Sequence, residues 1–184
     1  MKAEIRKKIR EQLKQISDDD YEIMSRKIFE NLLTIPEYEN SWVLMTYVSF
    51  QKEPDTMRVI KDALKRAKTV CIPAVDWKNS TMVPVQIFNE DDIDFSSAIP
   101  QPFSSAFIPP DEIDLVLVPG LAFDISCNRL GRGRGFYDRF LPLCAKAIKI
   151  GLAFDFQILE FLDVNEKDVR LDAIITETRI LKSL

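Results

Sequence analysis

Five short apolar runs confine this 184-residue chain to a small set of architectures. They are Trp42 to Phe50 (WVLMTYVSF), Thr69 to Val75 (TVCIPAV), Asp114 to Pro119 (DLVLVP), Ile148 to Phe154 (IKIGLAF) and Asp172 to Thr176 (DAIIT). Aliphatic, β-branched and aromatic residues with little alternation mark strands covered on both faces. Helical patterns lie between and before them. Residues 2–17 set Ile5, Ile9, Leu13 and Ile16 on one stripe and Lys2, Arg6, Arg10 and Lys14 on a second, basic one. Ser17 to Asp20 fits a capping pattern that opens another helix, with Met24, Ile28, Phe29, Leu32 and Leu33 buried and Pro36 ending it. Glu53-Pro54-Asp55-Thr56 starts a third, carried by Met57, Ile60 and Leu64 to about Ala67. Strands alternating with helices indicate an α/β domain with a mainly parallel sheet. The length fits a single domain over residues 1–184.

The remaining segments are less regular. Met82 to Phe88 suits an edge strand because of Pro84. Residues 89–112, acidic and holding Pro100, Pro102, Pro109 and Pro110, read as a long loop with little regular structure. Gly120 to Gly135 reads as a glycine-bearing loop, and Phe136 to about Leu143 as a helix.

Composition narrows the chemistry. There is no histidine, which excludes Ser-His-Asp and Cys-His nucleophiles, His-ligated zinc and a His general base. Cys71, Cys127 and Cys144 are odd in number and widely spaced, so reduced thiols in a cytoplasmic protein fit better than a disulfide framework or a zinc site. The net charge of -4 argues against a general nucleic-acid binder. The charged N-terminus lacks a signal-peptide apolar region, and no apolar run approaches the ~18 residues that span a bilayer, so no membrane partner is expected. A monomer is the working expectation.

Only 5 residues are glycine, and four of them, Gly120, Gly131, Gly133 and Gly135, fall in one stretch. Arg129 to Asp138 reads RLGRGRGFYD: three glycines at spacing two, interleaved with Arg129, Arg132 and Arg134. Successive free backbone N–H groups ringed by arginines form a phosphate nest; a solvated basic loop is the alternative. The pattern is neither G-x-x-x-x-G-K-[ST] nor G-x-G-x-x-G. Asp138 beside the nest suits Mg²⁺ or a salt bridge to Arg134, and Asp124 carries the same two readings. Glu53, just past a buried strand, suits a hydrogen bond to a ligand ring or a carboxylate at a helix start. The stripe from Lys2 to Lys14 suits a clamp on a polyanion or a solvated face. Phe50, Phe123, Phe136, Tyr137 and Phe154 cluster near the same strand ends, where they suit stacking on a planar ligand or core packing.

Four separated motifs, TYVSFQKEPDT (46–56), DLVLVPGLAFD (114–124), RLGRGRGFYDRFL (129–141) and IGLAFDFQIL (150–159), together resemble the 5-formyltetrahydrofolate cyclo-ligase (methenyltetrahydrofolate synthetase) family. The N-terminal basic helix and DAIITE (172–177) agree, so the resemblance covers nearly the whole chain in order. It implies a three-layer α/β domain with a Rossmann-like sheet, and ATP- and Mg²⁺-dependent conversion of 5-formyltetrahydrofolate to 5,10-methenyltetrahydrofolate. By motif, Lys2, Arg6 and the run Arg129, Gly131, Arg132, Gly133, Arg134, Gly135, Phe136 and Tyr137 match ATP-contacting positions. Val48 and Glu53 match folate-contacting positions, joined there by Arg132 to Phe136. Asp138 and Asp172 match Mg²⁺ positions, and Arg134, Tyr137 and Asp138 form the expected catalytic set. A non-catalytic nucleotide- or folate-binding paralogue and a CoA-transferase-like enzyme are the rival readings.

The sequence departs from the family's pattern at three places. Cys127 stands where glycine is usual, Phe136 where tyrosine is commoner, and Ile99-Pro-Gln-Pro102 where a glycine and a glutamate before proline are typical. Cys127 lies two residues from Arg129, and a nearby cation lowers a thiol's pKa, so a reactive thiol that ATP protects is expected there.

Overall fold

The computed structural model describes residues 1–184. Three helices lead the chain: α1 (Lys2–Gln15), α2 (Asp18–Leu33) and the single turn α3 (Pro36–Glu39). The Ser17 side chain accepts the Asp20 N–H and caps α2, as its sequence pattern predicts. Strand β1 (Val43–Thr46) and helix α4 (Met57–Lys65) follow, then β2 (Thr69–Asp76), β3 (Thr81–Ile87), β4 (Ile93–Asp94) and β5 (Gln101–Pro102). Next come β6 (Leu115–Val118), β7 (Ala122–Asp124), β8 (Arg129–Leu130), α5 (Phe136–Phe140), β9 (Ile148–Leu152), β10 (Ile158–Leu159), β11 (Ala173–Ile175) and β12 (Ile180–Lys182).

Seven strands form the central sheet in the order β12-β11-β9-β6-β1-β2-β3. The five inner strands are mutually parallel, and the edges β3 and β12 are antiparallel. Successive residues of the inner strands serve two cores. Leu44, Val70, Ile72, Leu115, Leu117, Ile150 and Leu152 join a cluster with Ile9, Leu13, Ile28, Leu32 and Ile60 of the helices on one face. Met45, Cys71, Val116, Val118 and Ile174 join Phe140, Leu141 and Cys144 on the other. Two-sided burial is why these strands read as unbroken apolar runs.

The strand expected over 42–50 ends at Thr46. Beyond it, the Tyr47 carbonyl accepts the Thr56 hydroxyl, the Ser49 N–H donates to Thr56 Oγ1, and the Phe50 N–H donates to Glu53. The backbone thus leaves the ladder for side chains of its own turn. The strands expected at 148–154 and 172–176 likewise shorten to β9 and β11. The antiparallel edge β12, which no apolar run announced, completes the sheet.

Pro84 does sit on an edge strand. Residues 89–112 carry more order than expected: a 3₁₀ turn at Glu90–Asp92, the β4–β5 pair, and a second turn at Pro110–Glu112. Their stretch 106–108 lies along β3, through Gln86 N–H to the Ala106 carbonyl at 2.7 Å and Ile108 N–H to the Pro84 carbonyl at 3.0 Å. The glycine-bearing region holds the β7–β8 pair, so the irregular loop starts at Gly131. The helix expected over 136–143 is α5 to Phe140, continued as a 3₁₀ turn at Leu141–Leu143.

The chain order places β1 beside β2 on one side and β6 on the other. That reversal leaves a crevice past the carboxyl ends of β1 and β6, the usual ligand position in an open α/β sheet.

Candidate active site

A cavity of about 650 Å³ opens at that crevice, within the ~300–1,000 Å³ typical of small-molecule sites. Tyr47, Val48 and Phe50 beyond β1 line it together with Pro119 and Gly120 beyond β6. The loop Gly131 to Gly135 crosses its mouth. Gly133 at φ +111° and Gly135 at φ +68° hold backbone conformations that side chains resist. No backbone N–H from Gly131 through Gly135 donates to another group of the chain. Five successive free donors, with Lys2, Arg6, Arg129 and the loop residues Arg132 and Arg134 around the same cavity, form an arrangement that suits an anion. Because α5 is only five residues long, the loop's own N–H groups and the cations supply the anion field, with little from a helix dipole.

The arginines fan apart. Arg129, with its side chain only 4% exposed, donates through Nη2 to Asp138 Oδ1 at 2.9 Å and through Nη1 to the Pro119 carbonyl at 3.2 Å. Its guanidinium lies 5.5 Å from the Tyr137 ring centroid, and its Nε has no partner. Asp138 therefore pairs with Arg129, not with Arg134. Arg132 reaches toward β1 and meets Glu53. Arg134 reaches the β2–β3 turn, 5.2 Å from the Trp77 ring centroid. Arg6 Nε donates to the Gly131 carbonyl at 2.9 Å, tying α1 to the loop. Lys2 Nζ donates to Asp168 Oδ2 at 3.0 Å. The basic stripe thus divides: Lys2 and Arg6 line the cavity, while Arg10 and Lys14 are exposed away from it.

The other half of the cavity is apolar and aromatic: Val48, Phe50, Pro73, Val75, Trp77 and Met82, with Phe136 edge-on to Trp77 at 5.4 Å. Glu53 is the buried carboxylate there. Burial raises its pKa, and Arg132 and the Phe50 N–H oppose that rise only in part. Burial also pushes up the Tyr137 hydroxyl, so Tyr137 is a phenol at neutral pH. Phe123 and Phe154 are fully buried core residues, not cavity walls. Asp124 organises its own turn, accepting N–H groups from Ser126, Asn128 and Leu162, and lies outside the cavity.

Two sequence expectations need correction. Asp172 is exposed at the amino end of β11, where its Oδ2 accepts the Lys149 N–H at 2.7 Å, and it does not line the cavity. The second cavity carboxylate beside Asp138 is Asp168. Partial burial disfavours its charge, but the Asn165 N–H, Lys2 and Arg129 outweigh this and hold it below the usual carboxylate range. Sequence reading missed it because nothing local marks it; only the return of residues 165–168 to the cavity does. Cys127 is fully buried, and burial raises its pKa despite Arg170, so the thiol is not activated. It holds φ +65°, a left-handed backbone that explains why glycine would suit the position. Trp77 was also missed, though its place just past an expected strand could have signalled it.

Asp138 and Asp168 suit a Mg²⁺ ion. Both hydrogen-bond partners of the Asp138 carboxylate use Oδ1 and both of the Asp168 carboxylate use Oδ2, which leaves one hard oxygen free on each. No group of three or more potential metal ligands exists in the chain. Magnesium fits such a site, since it usually takes one or two carboxylates plus phosphate oxygens and water. No helix is long and apolar enough to cross a membrane.

Comparison with known proteins agrees with this geometry. The family model described as the 5-formyltetrahydrofolate cyclo-ligase family matches residues 1–177. A 5-formyltetrahydrofolate cyclo-ligase from Mus musculus is 29% identical, over 96% of this chain and 93% of its own. A probable 5-formyltetrahydrofolate cyclo-ligase from Caenorhabditis elegans is 30% identical over the same shares. The NMR structure of Aquifex aeolicus 5,10-methenyltetrahydrofolate synthetase superposes with a TM-score of 0.87 at 28% identity, covering 98% of this chain and 92% of that one. Matched along nearly its full length in both sequence and fold, the chain belongs to the 5-formyltetrahydrofolate cyclo-ligase family.

Proposed function

We propose that this chain, acting as one domain, is an ATP-dependent enzyme that closes 5-formyltetrahydrofolate to 5,10-methenyltetrahydrofolate and releases ADP and phosphate. The observation that carries the reading is the division of one cavity. Free loop N–H groups, Lys2, Arg6, Arg129 and two carboxylates stand on one side; aromatic and aliphatic walls around the buried Glu53 stand on the other. That pairing suits a triphosphate facing a planar heterocycle. Membership of the cyclo-ligase family supports the same assignment.

The chemistry needs little acid–base machinery, which agrees with a chain that lacks histidine. A formamide carbon is a poor electrophile, and its oxygen is the better nucleophile. Attack of that oxygen on the γ-phosphorus forms a P–O bond and breaks the bond to ADP. The folate's N10 then adds to the activated carbon and loses its proton, and the C–O bond breaks to expel phosphate. Alignment and charge neutralisation are what the protein must supply. The nest from Gly131 to Gly135 and the arginines hold the phosphates where negative charge moves during transfer. Arg129 is held rigid by Asp138 and Pro119, so it meets that charge without reorganising. Glu53 accepts ring N–H groups and fixes the heterocycle, and Tyr137 remains protonated beside Arg129. Asp138 and Asp168 would hold Mg²⁺, which when bound neutralises charge on the phosphates.

The test is turnover. Purified protein with 5-formyltetrahydrofolate, ATP and Mg²⁺ should form the methenyl product, seen by its near-ultraviolet absorbance, with one ADP per product. Nucleotide binding without product would establish the paralogue reading instead, and activity on an acyl-CoA that ignores ATP would establish the transferase reading.

A further inference from the structure

Arg132 stands between the two halves of the cavity and is committed to one of them. Its Nη2 and Nε donate to Glu53 Oε1 at 3.0 and 3.3 Å, and its Nη1 donates to Gln51 Oε1 at 2.9 Å. Its guanidinium lies 4.6 Å from the Phe50 ring centroid. All these partners belong to the turn after β1; none lies among the groups on the phosphate side. The turn is built to present them. Gln51 and Lys52 are consecutive left-handed residues at φ +51° and +60°, and the Tyr21 hydroxyl donates to the Glu53 carbonyl at 2.8 Å. Glu53 Oε2 already accepts the Phe50 N–H, so Oε1 depends on Arg132 as its donor.

We propose that Arg132 is a positioning residue that couples the two ligands: latched on the Glu53 turn while the ring pocket is empty, it is released to the nucleotide phosphates when the heterocycle's N–H donors replace it on Glu53. The inference rests on the ATP and folate assignment above and goes beyond it. A guanidinium is a rigid planar fork. Its Nε–Nη2 edge is spent on Glu53 and its Nη1 on Gln51, so offering that bidentate edge to phosphate oxygens requires it to leave the wall. A buried carboxylate that loses its donor carries a large penalty, so Arg132 stays until a replacement arrives. A pterin edge supplies one: its ring N–H and adjacent amino group match a carboxylate oxygen pair, donor for donor. Binding of the ring then frees a cation within the same cavity as the nest. By linkage, folate must tighten nucleotide binding and nucleotide must tighten folate binding by one common factor.

Calorimetric titration with the β,γ-imido analogue of ATP, with and without saturating 5-formyltetrahydrofolate, measures that factor on the whole chain. Wild type should bind the analogue more tightly with folate present, within the roughly 5–150-fold range of site-to-site coupling. Gln51→Asn draws the amide back from Arg132, keeps the charge and suits the left-handed backbone. It should tighten folate-free analogue binding severalfold and shrink the folate effect by the same factor. Phe50→Leu, which removes the ring contact without changing charge, should act in the same direction. A merely structural turn would weaken both measurements or move neither. Equal analogue affinity with and without folate in wild type overturns the latch, as does an unchanged folate-free affinity in both variants with melting temperatures near wild type. If wild type fails to bind the analogue at all, the nucleotide assignment of the loop falls, and the latch falls with it.

Discussion

Asp138→Asn separates the pairing with Arg129 from the Mg²⁺ role proposed for the same carboxylate. In the fold, Asp138 is the anionic partner of Arg129, whose side chain is 4% exposed against 23% for Asp138. Asparagine keeps the shape and leaves an acceptor oxygen facing Nη2 of Arg129. What is lost is the charge on the hydrogen bond. A bond to a charged group contributes about 1.5–3 kcal/mol; the asparagine bond keeps the charge of Arg129 but loses that of its acceptor, so the variant should lose a part of this, on the order of 1–2 kcal/mol. The Pro119 carbonyl cannot absorb the loss, because it is already engaged, and Arg129 Nε has no acceptor to spare. At roughly 2–4 °C per kcal/mol for a chain of this size, the melting temperature should fall by about 2–8 °C. On the Mg²⁺ role proposed for Asp138, turnover should drop further than stability implies, since loss of even an outer-shell partner of a metal costs about 10–100-fold. The checks are thermal melting by circular dichroism and initial rates across a Mg²⁺ titration. A melting temperature equal to wild type would refute the Arg129 pairing, and a wild-type Mg²⁺ dependence would refute the ligand role.

Asp168→Asn should raise the Mg²⁺ requirement, whereas Asp172→Asn should leave it at the wild-type value with only a small loss of stability; the reverse pattern in the same titration would restore Asp172 to the site. Cys127 should react slowly with iodoacetamide in the folded protein, at a rate that ATP does not change, because burial raises its pKa and it lies outside the cavity; ATP protection, read by mass spectrometry, would contradict this. Burial raises the Glu53 pKa above its unfolded value, so its contribution to stability is full below the ordinary carboxylate range and is lost as pH rises through the folded value. Glu53→Gln should therefore flatten the fall of denaturant midpoints as pH rises above the ordinary carboxylate range, and parallel profiles for the two proteins would show that burial of Glu53 is not felt.

What could be read from the chain depended on sequence distance. The inner strands were legible because burial on both faces leaves nothing polar in Leu115 to Val118 or Leu44 to Met45. The open turn of Gly131, Gly133 and Gly135 was legible because its free N–H groups lie within one loop and need no distant partner. Glu53 was legible as a residue just past a strand, but its link to Arg132, 79 positions away, was not. Asp168 and Asp172 are both aspartates ahead of the last inner strand, and only the backbone path separates them: the first faces the cavity, while the second binds the Lys149 N–H. Proximity in sequence misled at Cys127, where Arg129 lies two residues away yet turns its guanidinium toward Asp138. The strand ending at Thr46 was overestimated because Thr56 and Glu53 capture backbone groups that an apolar run would give to the sheet.

In the proposed reaction the formyl oxygen is the atom that receives the phosphoryl group. Substrate carrying ¹⁸O in its formyl group, turned over with unlabelled ATP in unlabelled water, follows that atom directly. The isotope should leave in inorganic phosphate, one labelled oxygen per methenyl product, as read by ³¹P NMR or mass spectrometry. Unlabelled phosphate, with the isotope lost to water, would contradict phosphoryl transfer to the formyl oxygen and the division of the cavity built upon it.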